Sequence, residues 1–528
     1  MIKYQNPVLS GFYPDPSICR VENDFYLVNS TFAYFPGIPI FHSKDLRHWK
    51  QIANAIDRPG QLCYDRHRIS QGLFAPTIRY NKGLFYILCT LINTGGNFII
   101  TAKNPNGPWS DPVWLKGADG IDPSIFFDDD GKAWYCGTHP APEGEAYSGN
   151  YEIYIREIDL ALLSDGKNPL TGESCGIWRG ALRDVIWPEG PHIYKINGWY
   201  YLLHAEGGTG LDHAVCVARA KNIKGPWEGK RSNPILTHRH LGKDTQIINV
   251  GHADITDDPG GNWWMIFLAS RPYHGVCPLG RETFMMPVCW ENDWPGIDSK
   301  SGLVENEYLA PELPASGACA IWFFESSCDH FSQKLPLHWL TLRMPVNEKD
   351  SALSLTCRPG VLRLFTKSAT TRSLEHPAFA GRRIRHKDWA FSASMEFAPN
   401  TETETAGIIL LQNENFQFRL EVFRASNGVS LRLVRADGKE EKIIVQTNTD
   451  SSQKQIVLAA VCEEMALSFF YGKDQYSLVC IADQEDARIL STEYAGGFVG
   501  TLAGLFASGN GKNTDNYADF FWAEYKEL

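Results

Sequence analysis

Along the first 270 residues, apolar positions gather into short runs, each preceded by a turn and by the same brief phrase. The phrase is a variable residue, then Pro or Ala, one residue, and Ile. It reads Asp15-Pro16-Ser17-Ile18, Ala75-Pro76-Thr77-Ile78, Asp122-Pro123-Ser124-Ile125, Gly190-Pro191-His192-Ile193 and, more weakly, His252-Ala253-Asp254-Ile255. Successive starts lie 60, 47, 68 and 62 residues apart. After each phrase comes an aromatic run: Phe25-Tyr26-Leu27-Val28, Leu84-Phe85-Tyr86-Ile87-Leu88, Ala133-Trp134-Tyr135, Trp199-Tyr200-Tyr201-Leu202-Leu203 and Trp263-Trp264-Met265-Ile266-Phe267. The intervening Asp130-Gly131 and Asn197-Gly198 supply the positive φ of tight hairpins, and aromatic and β-branched runs favour strands. Five hairpin-rich units in tandem predict a five-bladed β-propeller, whose radial repetition protects strand edges.

The pattern changes near Tyr308-Leu309-Ala310-Pro311, and the phrase never returns. From about Phe323 the chain alternates polar and apolar residues, as in Phe416-Gln417-Phe418-Arg419-Leu420-Glu421-Val422 and Val429-Ser430-Leu431-Arg432-Leu433, with Asn427-Gly428 between them. Strict alternation marks strands with one face buried. The reading is an all-β chain of two domains: a propeller over residues 1–310 and a β-sandwich over 323–528.

Composition narrows the function. The chain has 528 residues and a net charge of −11. An acidic surface repels nucleic acid and anionic membranes, so neither is an expected partner. The apolar runs fall far short of the roughly 20 residues a spanning helix needs. The 13 cysteines show no paired or zinc-type spacing, which predicts free, mostly buried thiols. With a start that lacks a secretory pattern, this suggests a cytoplasmic protein.

A propeller brings equivalent positions of its units to one axis. The first phrase position holds Asp15, Asp122 and His252, and Glu189 directly precedes the fourth phrase. Taken singly, an Asp-Pro is usually a turn, and a lone histidine a core residue. The shared register instead gathers three carboxylates and a histidine in one pocket. Such crowding shifts proton affinities and suits proton-transfer chemistry. Two or three carboxylates without a nucleophilic Ser or Cys suggest glycoside hydrolysis. Gly172-Glu173-Ser174-Cys175-Gly176 matches a nucleophile elbow by letter, but no helix pattern follows it.

The chain resembles the glycoside hydrolase family 43 β-xylosidases with a C-terminal sandwich. The likeness rests on Asn6-Pro7-Val8-Leu9, Gly11-Phe12-Tyr13-Pro14-Asp15-Pro16-Ser17, Glu189-Gly190-Pro191-His192, Ala205-Glu206-Gly207-Gly208-Thr209, Gly251-His252-Ala253 and Pro278-Leu279-Gly280-Arg281-Glu282-Thr283. It implies a concanavalin A-like second domain and an inverting, exo-acting enzyme that releases xylose from short β-1,4-xylo-oligosaccharides. The alternative is an α-L-arabinofuranosidase, or an enzyme with both activities. By the same likeness Asp15 is the general base, Glu189 the general acid and Asp122 the tuner of that acid. Arg281, His252, Phe32 and Phe74 contact the sugar, with Phe74 standing where many relatives carry tryptophan. The sandwich is expected to lend the pocket rim a loop, with Leu502 in the place of its aromatic. The resemblance requires no metal or cofactor for the chemistry, leaves room for a structural divalent cation such as calcium in the channel, and implies a homo-oligomer.

Overall fold

The computed structural model describes residues 2–182, 184–297, 301–310, 313, 327–346, 351–449 and 455–528. Five small antiparallel sheets follow one another along the first half, each strand pairing with its sequence neighbour. Blade I comprises Ser17–Val21, Asp24–Val28, Gly37–Ser43 and Lys50–Ile56. Blade II comprises Leu73–Asn81, Leu84–Leu91, Gly96–Ala102 and Val113–Trp114. Blade III runs through Ile121–Phe127, Ala133–Pro140, Tyr151–Ile158 and Leu170–Trp178. Blade IV has Glu189–Ile196, Trp199–Glu206, Ala214–Ala220 and Glu228–Gly229, with Leu236–Thr237 beside its third strand. Blade V has Ile248–Asp257, Trp263–Ser270, Glu282–Glu291 and Trp294–Ile297. This is the expected propeller, with every phrase at or just before the innermost strand of its blade.

The N-terminal segment closes the ring. Ile2–Gln5 pairs with Glu307–Ala310. The Asn6 side chain then exchanges hydrogen bonds with the backbone of Met285 on blade V, 2.9 Å each way. The chain therefore remains part of the propeller as far as Ala310. The prolines beyond it, and the start of alternation at Phe323, lie outside the described residues. Ser174 of the elbow-like motif sits on the outermost strand of blade III and is exposed.

The second half folds as two packed sheets. One is ordered Leu353–Ser354, Leu362–Phe365, Tyr517–Glu527, Trp389–Glu396, Gln455–Glu463, Ala466–Gly472 and Val479–Asp486, with Ser327–His330 beside Tyr517–Glu527. The other runs from Glu440–Asn448 through Gly428–Asp437, Phe416–Ala425, Thr405–Leu411, Leu502–Ser508 and Ala378–Arg383 to Trp339–Leu342. Its last strand comes from the propeller: Tyr34–Phe35 pairs with Leu342 and Thr341. Phe12, Phe32 and Tyr34 then bury against Leu340, Phe379, Leu502 and Phe506, so the two halves share one apolar cluster. Helix among the described residues is confined to Thr492–Ala495 and three short 3₁₀ turns. Among the described residues, no helix is long and apolar enough to cross a membrane. The twelve described cysteines are free thiols, but only six are buried, so the expectation of mostly buried thiols is corrected. Cys63, Cys328, Cys357 and Cys480 lie exposed on outer surfaces.

Candidate active site

The first residue of every phrase has a left-handed backbone. The φ angles are 52° at Asp15, 40° at Ala75, 55° at Asp122, 56° at Gly190 and 51° at His252. In blades II to V the pairing register shifts at the same place, between Phe74 and Thr77, Ile121 and Ser124, Glu189 and His192, and Gly251 and Asp254. A bulge with positive φ turns a side chain out of the alternating plane of its strand. It costs conformational energy that proteins accept mainly where a side chain must be aimed. Here it directs Asp15, Asp122 and His252 into a cavity of about 420 Å³, with Glu189 beside them. The same cavity is lined by Phe32, Phe74 and Arg281, so it gathers all seven residues singled out from the sequence.

Asp15 is almost fully buried, and each of its oxygens has a partner. Arg281 donates to Oδ1 at 3.0 Å, and the Ser30 hydroxyl donates to Oδ2 at 2.6 Å. Ser30 is itself fixed by the amide of Ala75 at 2.7 Å. Burial alone raises a carboxyl's proton affinity, but Arg281, His252 and Ser30 outweigh it and hold Asp15 below the ordinary carboxylate value. Glu189 is the opposite case. No cation pairs with it among the described residues. Burial, with the charges of Asp122 and Asp15, lifts its pKa well above the ordinary value against the weaker pull of Arg281. Asp122 is also raised, by burial and Asp15, against the pull of His252; its Oδ2 accepts the Gly190 amide at 2.9 Å. The pocket thus sets Asp15, held below the ordinary carboxylate value, in one cavity with Glu189, held well above it.

Several pocket residues escaped the sequence reading. Tyr151, Trp187, Thr209, His213 and Phe498 also line the cavity. His213 is buried, with Nδ1 3.0 Å from the Asn249 carbonyl oxygen. Burial pulls its pKa down to about 3, so it is neutral and donates from Nδ1. Its Nε2, like Nε of Arg281, is buried without a hydrogen-bond partner among the described residues. Gly251 makes room for the ring, since a Cβ there would come within 2.4 Å of it.

The sandwich does supply an aromatic to the rim, but it is Phe498 rather than Leu502. Leu502 is fully buried at the start of a core strand. Phe498, four residues earlier, stands in the loop before that strand. Its amide donates to Ser70 Oγ at 3.0 Å, and its ring lies 6.3 Å from Phe32 and 5.8 Å from Phe74. Arg281 reaches the same loop, with its guanidinium 5.4 Å from the ring.

Beneath the pocket, the third phrase position fills the axis. Asp254 accepts two bonds from Arg79, 2.7 and 3.0 Å, and further bonds from Ser17 at 2.6 Å and Tyr194 at 2.5 Å. The other Arg79 nitrogen contact is His192 Nδ1 at 3.0 Å. Burial and the Arg79 charge keep His192 neutral, with a pKa near 3. A guanidinium at this level, with both Asp254 oxygens engaged, does not fit a divalent cation, so the calcium expectation has no ligand set here. One buried His-Glu-Cys group occurs in blade IV, His204, Glu206 and Cys216. Its Glu206 is held by His204 at 2.9 Å and by the Ala181 amide. Burial beside Glu206 keeps the Cys216 thiol protonated. The group therefore ties the segment leading to Trp187 onto the blade.

Carboxyl groups whose proton affinities are pushed in opposite directions, in an aromatic-walled pocket at a propeller mouth, are the equipment of a glycoside hydrolase. The chain belongs to the glycosyl hydrolases family 43, whose family model matches residues 4–295. The β-xylosidase C-terminal concanavalin A-like domain matches residues 328–526. The chain is 44% identical over the full length of both proteins to a xylosidase/arabinosidase of Butyrivibrio fibrisolvens. It is 36% identical to a non-reducing end α-L-arabinofuranosidase of Bacteroides ovatus, covering 99% of this chain and 95% of that one. Among solved structures, a xylan β-1,4-xylosidase from Bacillus halodurans superposes with a TM-score of 0.90 at 30% identity, over 99% of this chain and all of that one.

Proposed function

We propose that the protein removes a terminal pentose, β-D-xylopyranosyl or α-L-arabinofuranosyl, from the non-reducing end of short oligosaccharides with inversion at the anomeric carbon. The opposite shifts in proton affinity of Asp15 and Glu189 in one cavity carry this reading. Glu189 gives its proton to the glycosidic oxygen as the carbon–oxygen bond breaks. Asp15 takes a proton from a water whose oxygen bonds to the anomeric carbon from the other face. Asp122 keeps the acid protonated through its charge. Both proton transfers are supplied by the two carboxyl groups, so this step needs no cofactor.

The unpaired Nε2 of His213 and Nε of Arg281 offer an acceptor and a donor for sugar hydroxyls. Phe32, Phe74 and Phe498 provide apolar faces for ring C–H groups. The names of the Butyrivibrio and Bacteroides relatives support a pocket that takes either pentose. The test compares kcat/KM on an aryl β-D-xyloside and an aryl α-L-arabinofuranoside with one preparation. Turnover of both supports the reading, and turnover of neither overturns it.

A further inference from the structure

A second cavity, of about 560 Å³, lies where the N-terminal segment meets the sandwich. Its walls are unusually cationic: Lys3, Arg47, Arg271, Arg385 and Lys387 all contribute, with His386 among them. Two of these charges are already neutralised, Arg271 by the buried Glu282 at 2.7 Å and Lys3 by Glu307 at 2.5 Å. Arg47, Arg385 and Lys387 have no carboxylate in ion-pair contact among the described residues. Arg47 and Lys387 instead lie over the rings of Tyr4 and Tyr273, 5.7 and 4.9 Å from the centroids.

Of the acidic residues in the walls, the Asp388 carboxylate bonds residues outside the lining, while Glu527 faces the wall residue His386. The Asp388 carboxylate accepts the Glu464 amide at 2.8 Å and the Tyr273 hydroxyl at 3.2 Å. Glu527 lies 3.4 Å from His386. Arg385 is held in place at its stem, where Gly11 leaves room: a Cβ at that glycine would stand 3.0 Å from the Arg385 Cγ. Its Nε is buried and has no hydrogen-bond partner among the described residues. The surroundings feel the excess charge. Burial and the Arg271 charge depress the Lys387 pKa, and burial with Arg385, Arg271 and Arg382 pulls His386 down to about 4. His386 is therefore uncharged at neutral pH, chiefly through burial and further through the neighbouring guanidinium charges.

We propose that this cavity binds a small oxyanion, a phosphate or a sugar carboxylate, between Arg385, Lys387 and Arg47. Arg385, Lys387 and Arg47 line one cavity, and a planar guanidinium with a free donor, an ammonium and a second guanidinium suit such a group. Desolvation of the half-buried Arg385 and Lys387 favours a paired anion over bulk water.

The experiment follows thermal midpoint and equilibrium dialysis of the whole chain with inorganic phosphate and, separately, D-glucuronate, against sodium chloride of equal ionic strength. An anion that binds only the folded state raises the midpoint saturably. The expected result is such a rise with at least one of the two anions, with Kd weakened at least tenfold in Arg385→Gln and in Lys387→Gln and kcat on the aryl pentoside unchanged. Protection by phosphate alone identifies a phosphate-type ligand. Protection by glucuronate that survives in neither variant identifies a carboxylated sugar. Should Arg385→Gln fail to fold, Lys387→Gln and the exposed Arg47→Gln decide. No rise beyond chloride with either anion, or an unchanged Kd in the variants, overturns the proposal.

Discussion

Arg281 and Asp15 are buried together, 3.0 Å apart and separated by 266 residues, and their contact sets the charge of the pocket. One Arg281 nitrogen serves both the Asp15 carboxylate and Thr209 Oγ1 at 2.8 Å. The base is thereby tied to the loop that follows blade IV's second strand. Removing the cation leaves a buried carboxyl whose burial is offset only in part, by His252 and Ser30. In Arg281→Gln the proton affinity of Asp15 rises. Because the base works only when ionised, the acid limb of kcat/KM moves to higher pH. The pH profile of wild type and variant checks this, and an unmoved acid limb contradicts it.

Glu189 has the opposite sign. Its folded pKa lies above its unfolded one, so the folded state holds the extra proton between those two values. Stability therefore falls as pH rises through that window and stays lower above it. Glu189→Gln removes this liability. The variant should melt higher than wild type at pH 7, and the difference should close as the pH falls below the ordinary glutamate value of about 4.3. Its turnover of an unactivated disaccharide should drop by at least roughly a hundredfold, the low end for losing a general acid. Thermal midpoints across pH and initial rates check both statements.

The rim depends on the sandwich. Phe498→Ala removes the ring that faces Phe32, Phe74 and Arg281 while leaving the carboxyl groups untouched. Losing an aromatic contact of this size costs about 1–2 kcal/mol of sugar binding, or roughly tenfold or more in kcat/KM. The loss should appear mainly in KM. A chain cut after residue 310 loses the partners of Tyr34–Phe35 and of Phe12 as well. It should not accumulate as a soluble, active propeller.

On the axis, Arg79→Leu strands the Asp254 charge among Ser17, Tyr194 and His192. Breaking a buried pair by removing one partner typically costs about 3–5 kcal/mol. Chemical denaturation should show that loss. The double variant Arg79→Leu, Asp254→Leu should recover part of it, since no lone charge remains.

The five-fold phrase made the propeller and the converging carboxylates legible in the sequence. The reason is physical: each phrase opens on a left-handed residue at its innermost strand, with a bulge in blades II to V, and equivalent turns around a ring must face one another. The axial plug could have been read the same way, since Ser17, Ser124, His192 and Asp254 occupy one phrase position. Trp187, His213 and Phe498 could not, because they sit on loops between blades III and IV, within blade IV and in the sandwich, where no repeat register applies. Leu502 was misplaced for the same reason. Glycines at 496, 497, 500 and 504 permit several alignments of that loop, and only the packing of Leu502 beside Phe379 and Phe506 shows where the strand begins. The two-residue strand Tyr34–Phe35 is too short to leave a periodic signal at all.

The division of labour between Asp15 and Glu189 is tested most directly by the anomer first released. Proton NMR of an aryl β-D-xyloside, recorded within the first minutes of hydrolysis and before mutarotation, distinguishes the two sugar forms. The account predicts α-xylose first, from water delivered by Asp15 on the face opposite the leaving group. β-Xylose appearing first would mean that a carboxylate attacks the sugar itself, and the assignment of Asp15 as a base acting through water would be wrong.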